Sequence, residues 1–172
     1  GNYVALPSDF YQKNRGEALP STITTRNTNF QQGGEYWAWR YMDSFIKERY
    51  VNYSKHISKP NLSRKGCSRL SPYLTYGNIS MRMVYQYTMQ HYKEAVNKRA
   101  LANFISRLHW HCHFIQKFES ECSMEFENIN RAFDVIQKPK NEIYIKAWQE
   151  GKTGVPIVDA CLRCLVETGY IN

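Results

Sequence analysis

The sequence predicts an all-α domain, on three observations. Apolar residues recur at helical intervals in four stretches between residues 35 and 169. Helix-start and helix-stop residues punctuate that region, Pro72 and Pro156 at the front of their segments and Gly77 and Gly169 at the back. No stretch alternates convincingly as a strand, and no repeat unit recurs. At 172 residues, with 42% hydrophobic and 15% aromatic side chains, the chain is long enough for one domain with its own core.

The elements follow in order. Residues 1–34 are rich in Asn, Gln, Thr, Ser and Gly without a sustained period, and read as an extended arm or linker ending at the Gly33-Gly34 break; residues 35–172 form the domain. EYWAWRYMDSFIKERY, 35–50, sets Trp37, Tyr41 and Phe45 four apart with Ile46 beside them, so a helix is expected with Asp43 and Lys47 paired on its outer side. A polar, basic connection follows. SPYLTYG, 71–77, has Ser71 as a candidate N-cap, Pro72 at the first helical position and Gly77 as a stop, which predicts a short helix. ISMRMVYQYTMQHY, 79–92, is amphipathic, with Met83, Val84 and Tyr87 inward. KRALANFISRLHWHCHFIQKF, 98–118, is the longest pattern; at about 100° per residue Leu101, Phe104, Ile105, Leu108, Cys112 and Ile115 form one buried stripe. NEIYIKAWQEG, 141–151, has the spacing of a strand ended by Gly151. VPIVDACLRCLVETG, 155–169, is again a helix, with Asp159 paired to Arg163, Gly169 as C-cap, and Cys161 and Cys164 on its apolar face.

Apolar runs fall far short of the roughly 20 residues a bilayer span needs, and the first ten residues carry no signal pattern. Five dispersed cysteines suit reduced thiols. A soluble, cytoplasmic protein with no membrane partner is expected. Its net charge of +8 is segregated: Lys47, Arg49, Lys55, Lys59, Arg64, Lys65 and Arg69 are opposed only by Glu48, while Glu119, Glu121, Glu125 and Glu127 form an acidic patch. Such a basic stretch, with Tyr50, Tyr53 and His56 among it, suits a polyanion. A solvated surface without a partner accounts for it equally well.

RLHWHCHFI, 107–115, packs three histidines and a cysteine into five residues. His109 and His113 share one helix flank, but His111 points nearly opposite, and no HExxH glutamate or second ligand pair accompanies them, so no metal is expected. Phe104, Arg107, Trp110, His111 and Phe114 fall in one sector beside the core stripe, a wall of rings and cationic donors suited to a planar or phosphate-bearing ligand. Aromatic packing against a neighbouring helix accounts for the same residues.

Three stretches carry a family resemblance: SRLSPYLTYGNIS at 68–80, FISRLHWHCHF at 104–114 and AWQEGKTGVPIVDACLRCLVETGY at 147–170. In this order and spacing, over about residues 33–172, they resemble the helical flavin-binding domain of the DNA photolyase and cryptochrome family. The resemblance implies an all-helical fold holding FAD in a bent U shape, whose excited reduced form passes an electron to a pyrimidine dimer flipped out of DNA. Carried over residue by residue, it puts Ser68 and Ser71 on the flavin phosphates, where the Pro72-led helix adds free backbone N–H groups. Tyr53 and Leu70 belong to the same contact set, and Cys67 replaces a Thr that helps hold the phosphates. Phe104 replaces a tryptophan and keeps a ring face; His111 replaces an arginine near the flavin.

Lesion contacts come from the same comparison. Trp110 matches a tryptophan that packs on the flipped dimer, and Tyr170 stands where a second stacking ring is common. Arg107 replaces a glutamate that hydrogen-bonds the lesion, reversing its charge. The resemblance therefore implies FAD as cofactor and damaged DNA as partner of the whole protein, with the aromatic clamp kept and the polar contacts rewritten; repair and photoreception both stay open. Lys138 and Pro139 lie where the family's electron-transfer chain begins with a tryptophan, and Trp148 reads as structural. Residues 1–34 have no counterpart of the family's α/β antenna domain, and the family continues beyond position 172 into the groups that face the flavin ring. The chain is thus expected to be an incomplete, inactive portion with no catalytic residue. Its rival is a flavin-free, basic nucleic-acid-binding helical module.

Overall fold

The computed structural model describes residues 7–18, 20, 21, 25–137 and 139–171. The expectations placed on Lys138 and on residues 1–6, 19, 22–24 and 172 lie outside the described residues. Among the described residues every regular element is helical, as the spacing predicted.

The arm is not uniformly extended. It contains α1, Phe10–Lys13, braced by a Lys13–Asp9 ion pair at 2.5 Å. Its last residues are tied to the domain: the Tyr73 hydroxyl donates to the Gln32 carbonyl at 2.7 Å, and Gln31 Nε2 donates to the Arg69 carbonyl at 3.1 Å. Gly34, at φ 102°, then turns the chain into α2, Glu35–Lys47. The buried face of α2 is Ala38, Met42, Phe45 and Ile46, one residue out of phase with the expected Trp37 and Tyr41, which are half-buried. The rings stay at the flanks because cations use their faces: Arg40 sits 5.1 Å from Trp37, and Arg69 sits 5.5 Å from Tyr41.

The basic connection is itself helical. A 3-10 turn, Arg49–Asn52, leads into α3, Tyr53–His56, and then α4, Pro60–Gly66, which Pro60 starts. In α5, Ser71–Thr75, Leu70 takes the N-cap position and makes no side-chain cap, so Ser71 lies inside the helix and is not its N-cap. Gly77, at φ 67°, ends that turn. Ser80 caps α6, Met81–Tyr92, by accepting from the Met83 N–H at 3.2 Å; Val84 and Thr88 are its fully buried residues, with Met83 and Tyr87 at the margin.

Asn97 starts α7, Lys98–Ser120, accepting from the Ala100 N–H at 3.1 Å while donating to the Val51 carbonyl at 2.7 Å. Ala100, Leu101, Phe104 and Leu108 close the core against α2, α3 and α6. The predicted stripe does not stay buried to its end: Cys112 is only half-buried and Ile115 is 50% exposed. At 1.5 Å per residue, Ile115 stands about 10 Å beyond Leu108, past the helices that cover the first three turns.

The possible strand at 141–151 is a helix, α8, Glu142–Gln149, because the Asn141 side chain accepts from the Ile143 and Tyr144 N–H groups and caps it. Trp148 on it is 55% exposed. The last helix, α9, Pro156–Thr168, ends at Gly169 in the left-handed conformation at φ 63°. The Asp159 carboxylate does not pair with Arg163; it accepts from the Thr153 N–H at 2.7 Å, the Thr153 hydroxyl at 2.6 Å and the Gly154 N–H at 3.1 Å. Arg163 donates instead to the Asp159 carbonyl at 3.3 Å.

Candidate functional site

A cavity of about 480 Å³ opens where the loop 67–70 meets α3, α5, the middle of α7 and the segment after α9. Its walls include Tyr53, Cys67, Ser68, Leu70, Ser71, Phe104, Arg107, His111 and Tyr170, nine of the ten residues singled out from the sequence. Trp110 is the exception. It is 51% exposed and stacks at 5.8 Å on Phe114 beside a shallow depression with Ser106, His109 and His113. The expected single sector on α7 therefore divides, because Trp110 lies about 120° around the helix from Phe104.

The deep wall is aromatic. Phe104 packs on Phe45 at 4.7 Å, and Tyr53 meets both rings edge-on at 5.6 and 5.8 Å. Burial raises the Tyr53 hydroxyl well above the ordinary tyrosine value, so this side chain stays a neutral donor. Leu70 and Cys67 are buried beside it, while Ser68 is half-buried and Ser71 is exposed at the rim. Because α5 is only five residues long, it sums few peptide dipoles, and the hydroxyls carry more of any anion contact than the helix end does.

One half-buried cation holds the loop in shape. Arg49 donates through Nη2 to the Tyr41 carbonyl at 2.8 Å and the Ser68 carbonyl at 3.4 Å, and through Nη1 to the carbonyls of Cys67 and, at 3.1 Å, Lys65. Burial draws its guanidinium down from the ordinary arginine value. The loop it anchors contains a further site residue, one that the sequence marks only as a charge of the basic stretch. Arg69 adopts φ 60°, the one non-glycine positive φ among the described residues. Its guanidinium lies between the rings of Tyr41, at 5.5 Å, and Tyr170, at 4.7 Å. Its Nε is buried and has no hydrogen-bond partner among the described residues. The signal that could have found it is its position at the centre of SRLS, since the conformation itself leaves no trace in a non-glycine residue type.

At the mouth, Arg107 and His111 sit one turn apart on α7, both exposed. Among the described residues no Asp or Glu lines the cavity. The site thus joins ring faces, hydroxyls and two guanidinium groups with an orphaned donor, which suits an anionic ligand that also has flat apolar parts. The other histidines go elsewhere: His109 lies 6.0 Å from the ring of Tyr85 and His113 lies 5.6 Å from Phe114. No group of three His, Cys, Asp or Glu placed to hold a metal occurs among the described residues. No helix among them is long and apolar enough to cross a membrane.

Residues 104–172 match the family described as the FAD binding domain of DNA photolyase. The chain is 34% identical over 115 residues to the deoxyribodipyrimidine photo-lyase of Escherichia coli K12, covering 63% of this chain and 23% of that protein. A class III photolyase from Agrobacterium tumefaciens superposes with a TM-score of 0.78 at 27% identity, over 84% of this chain and 30% of the other. A Synechocystis cryptochrome superposes equally well, at 0.78 over 90% of this chain and 33% of the other; at 23% identity that likeness shows the fold alone. The chain spans between about a fifth and a third of the length of the proteins it matches.

Proposed function

We propose that the chain is a portion of the helical flavin-binding domain of the DNA photolyase and cryptochrome family, and that this cavity holds the diphosphate side of FAD in a blue-light flavoprotein. The observation that carries the reading is the buried Nε of Arg69, unpartnered among the described residues, set among hydroxyls and cations in a cavity that no described carboxylate lines. A buried donor left without an acceptor is costly, and a phosphate oxygen relieves that cost.

In this reading Ser68, Arg69 and Ser71 hold the phosphates, and Cys67 contributes a weaker thiol donor. Tyr53, Leu70 and Phe104 exclude water along the inner wall, and His111 supplies a further donor at the mouth. FAD, when bound, supplies light absorption and one-electron chemistry. Arg107 and Tyr170 face a DNA lesion brought to the mouth, and Trp110 contacts DNA on the outer face of α7. The whole protein then acts on pyrimidine dimers in damaged duplex DNA, in the cytoplasm. A signalling photoreceptor is the second reading, favoured by Arg107, whose positive charge suits a phosphate better than a base edge that needs an acceptor. Light-dependent loss of dimers with the full-length protein separates the two.

The direct test adds FAD to the purified chain, dialyses it, and records the visible spectrum of wild type and Arg69→Gly. Glycine adopts φ 60° without strain, so the variant should keep its circular dichroism while flavin retention drops about tenfold. Absence of retained flavin in wild type, or equal retention in the variant, overturns this assignment.

A further inference from the structure

A second cavity, about 350 Å³, lies between α4 and α9. Its wall is apolar apart from Asn61 and Arg64, and it includes both cysteines of the CLRC segment, which the flavin reading leaves unused. Cys161 and Cys164 are half-buried and unbridged. Three residues apart on a helix, their Cα atoms are about 5 Å apart, inside the range a disulfide spans. Arg64 reaches across from α4 and donates from Nη1 to Cys164 Sγ at 3.3 Å and to the Thr168 hydroxyl at 3.3 Å. Cys164 Sγ in turn donates to the Tyr170 carbonyl at 3.6 Å.

We propose that Cys161 and Cys164 are a dithiol modification site that takes hydrogen peroxide and closes to a disulfide. The Cys164 sulfur attacks one peroxide oxygen; the O–O bond breaks, leaving Cys164 sulfenic acid and one water once the thiol proton is transferred. The Cys161 sulfur then attacks Cys164; the S–S bond forms, the S–O bond breaks and the second water leaves with the Cys161 proton. Two electrons pass from the two thiols to the peroxide, so atoms and charge balance. Arg64 is the cation placed where negative charge builds on the attacking sulfur. None of the other three cysteines has a second cysteine within a helical turn in the sequence.

Closure has a structural consequence. A disulfide removes the proton that Cys164 donates to the Tyr170 carbonyl, and Tyr170 and Ile171 line both cavities. Oxidation at the small cavity is therefore felt at the wall of the large one. The dithiol site itself stands independently of what the larger cavity binds.

Trypsin tests this directly, because cleavage after Arg163 puts the two cysteines in different peptides. The full chain is treated with hydrogen peroxide, blocked with iodoacetamide, digested and weighed. The expected product is a linked pair of peptides containing Cys161 and Cys164 that separates on reduction, formed at peroxide levels that leave the exposed Cys122 alkylated. Arg64→Gln, with circular dichroism unchanged, should form it about tenfold more slowly. Alkylation of both Cys161 and Cys164 after peroxide, linkage no faster than oxidation of Cys122, or an unchanged rate in Arg64→Gln each overturns the proposal.

Discussion

Arg69 and Asp159 show how far single residues can be read. Arg69 was visible as part of a motif and as a charge, but its left-handed backbone costs about 1–2 kcal/mol for a residue with a Cβ. It persists because Gln31 and Arg49 pin the carbonyls around it. Asp159 was legible as a helix N-terminal acid, yet its spacing to Arg163 suggested the wrong partner. The carboxylate turns back to the loop, where the Thr153 hydroxyl lies 2.6 Å away and leads the contacts that hold its pKa below the usual carboxylate range. Because the folded value lies below the unfolded one, Asp159 stabilises the fold above about pH 4, and that contribution is lost as pH falls through the folded value. Thermal melts of wild type against pH should therefore show an acid-side decline that Asp159→Asn reduces, together with a lower neutral midpoint in the variant. An identical acid slope in both proteins would remove the carboxylate from this role.

At the scale of elements, α2, α6, α7 and α9 were readable because apolar spacing and end signals agree. The stripe on α7 reads as running on to Ile115, and residues 141–151 can be read as alternating, because periodicity reports which side chains share a face without reporting what covers that face. Asn141 carried the missing signal for α8, since an N-cap residue before an apolar run starts a helix. The difference along α7 is measurable. Leu101→Ala, at a fully buried position, should cost about 2–5 kcal/mol in urea unfolding, whereas Ile115→Ala should cost under about 1 kcal/mol. Equal losses would mean that the outer half of α7 is as tightly covered as the inner half.

Across the whole molecule, the basic stretch survives as a surface in part only. Lys55, Lys59 and Lys65 are exposed, but Arg49 is committed to loop carbonyls and Arg64 to Cys164 and Thr168. A DNA-binding face should therefore rest on the three lysines. Replacing them together with Gln should weaken binding of duplex DNA by about tenfold or more and flatten the salt dependence by nearly one unit of slope per charge, measured by fluorescence anisotropy across a salt series. Affinity that ignores salt, or a triple variant that binds as wild type, would count against that face. The sequence alone was enough for the all-α class, the four long helices and the family resemblance, because periodicity, capping residues and motif order are properties of the chain. Only the tertiary structure decided that Tyr53, the SRLS loop, Phe104 and Tyr170 meet around one cavity while Trp110 stands outside it, and that Arg64 meets the two cysteines. Those placements depend on how helices far apart in sequence pack and on where half-buried cations such as Arg49 draw the loops together, which local patterns do not encode.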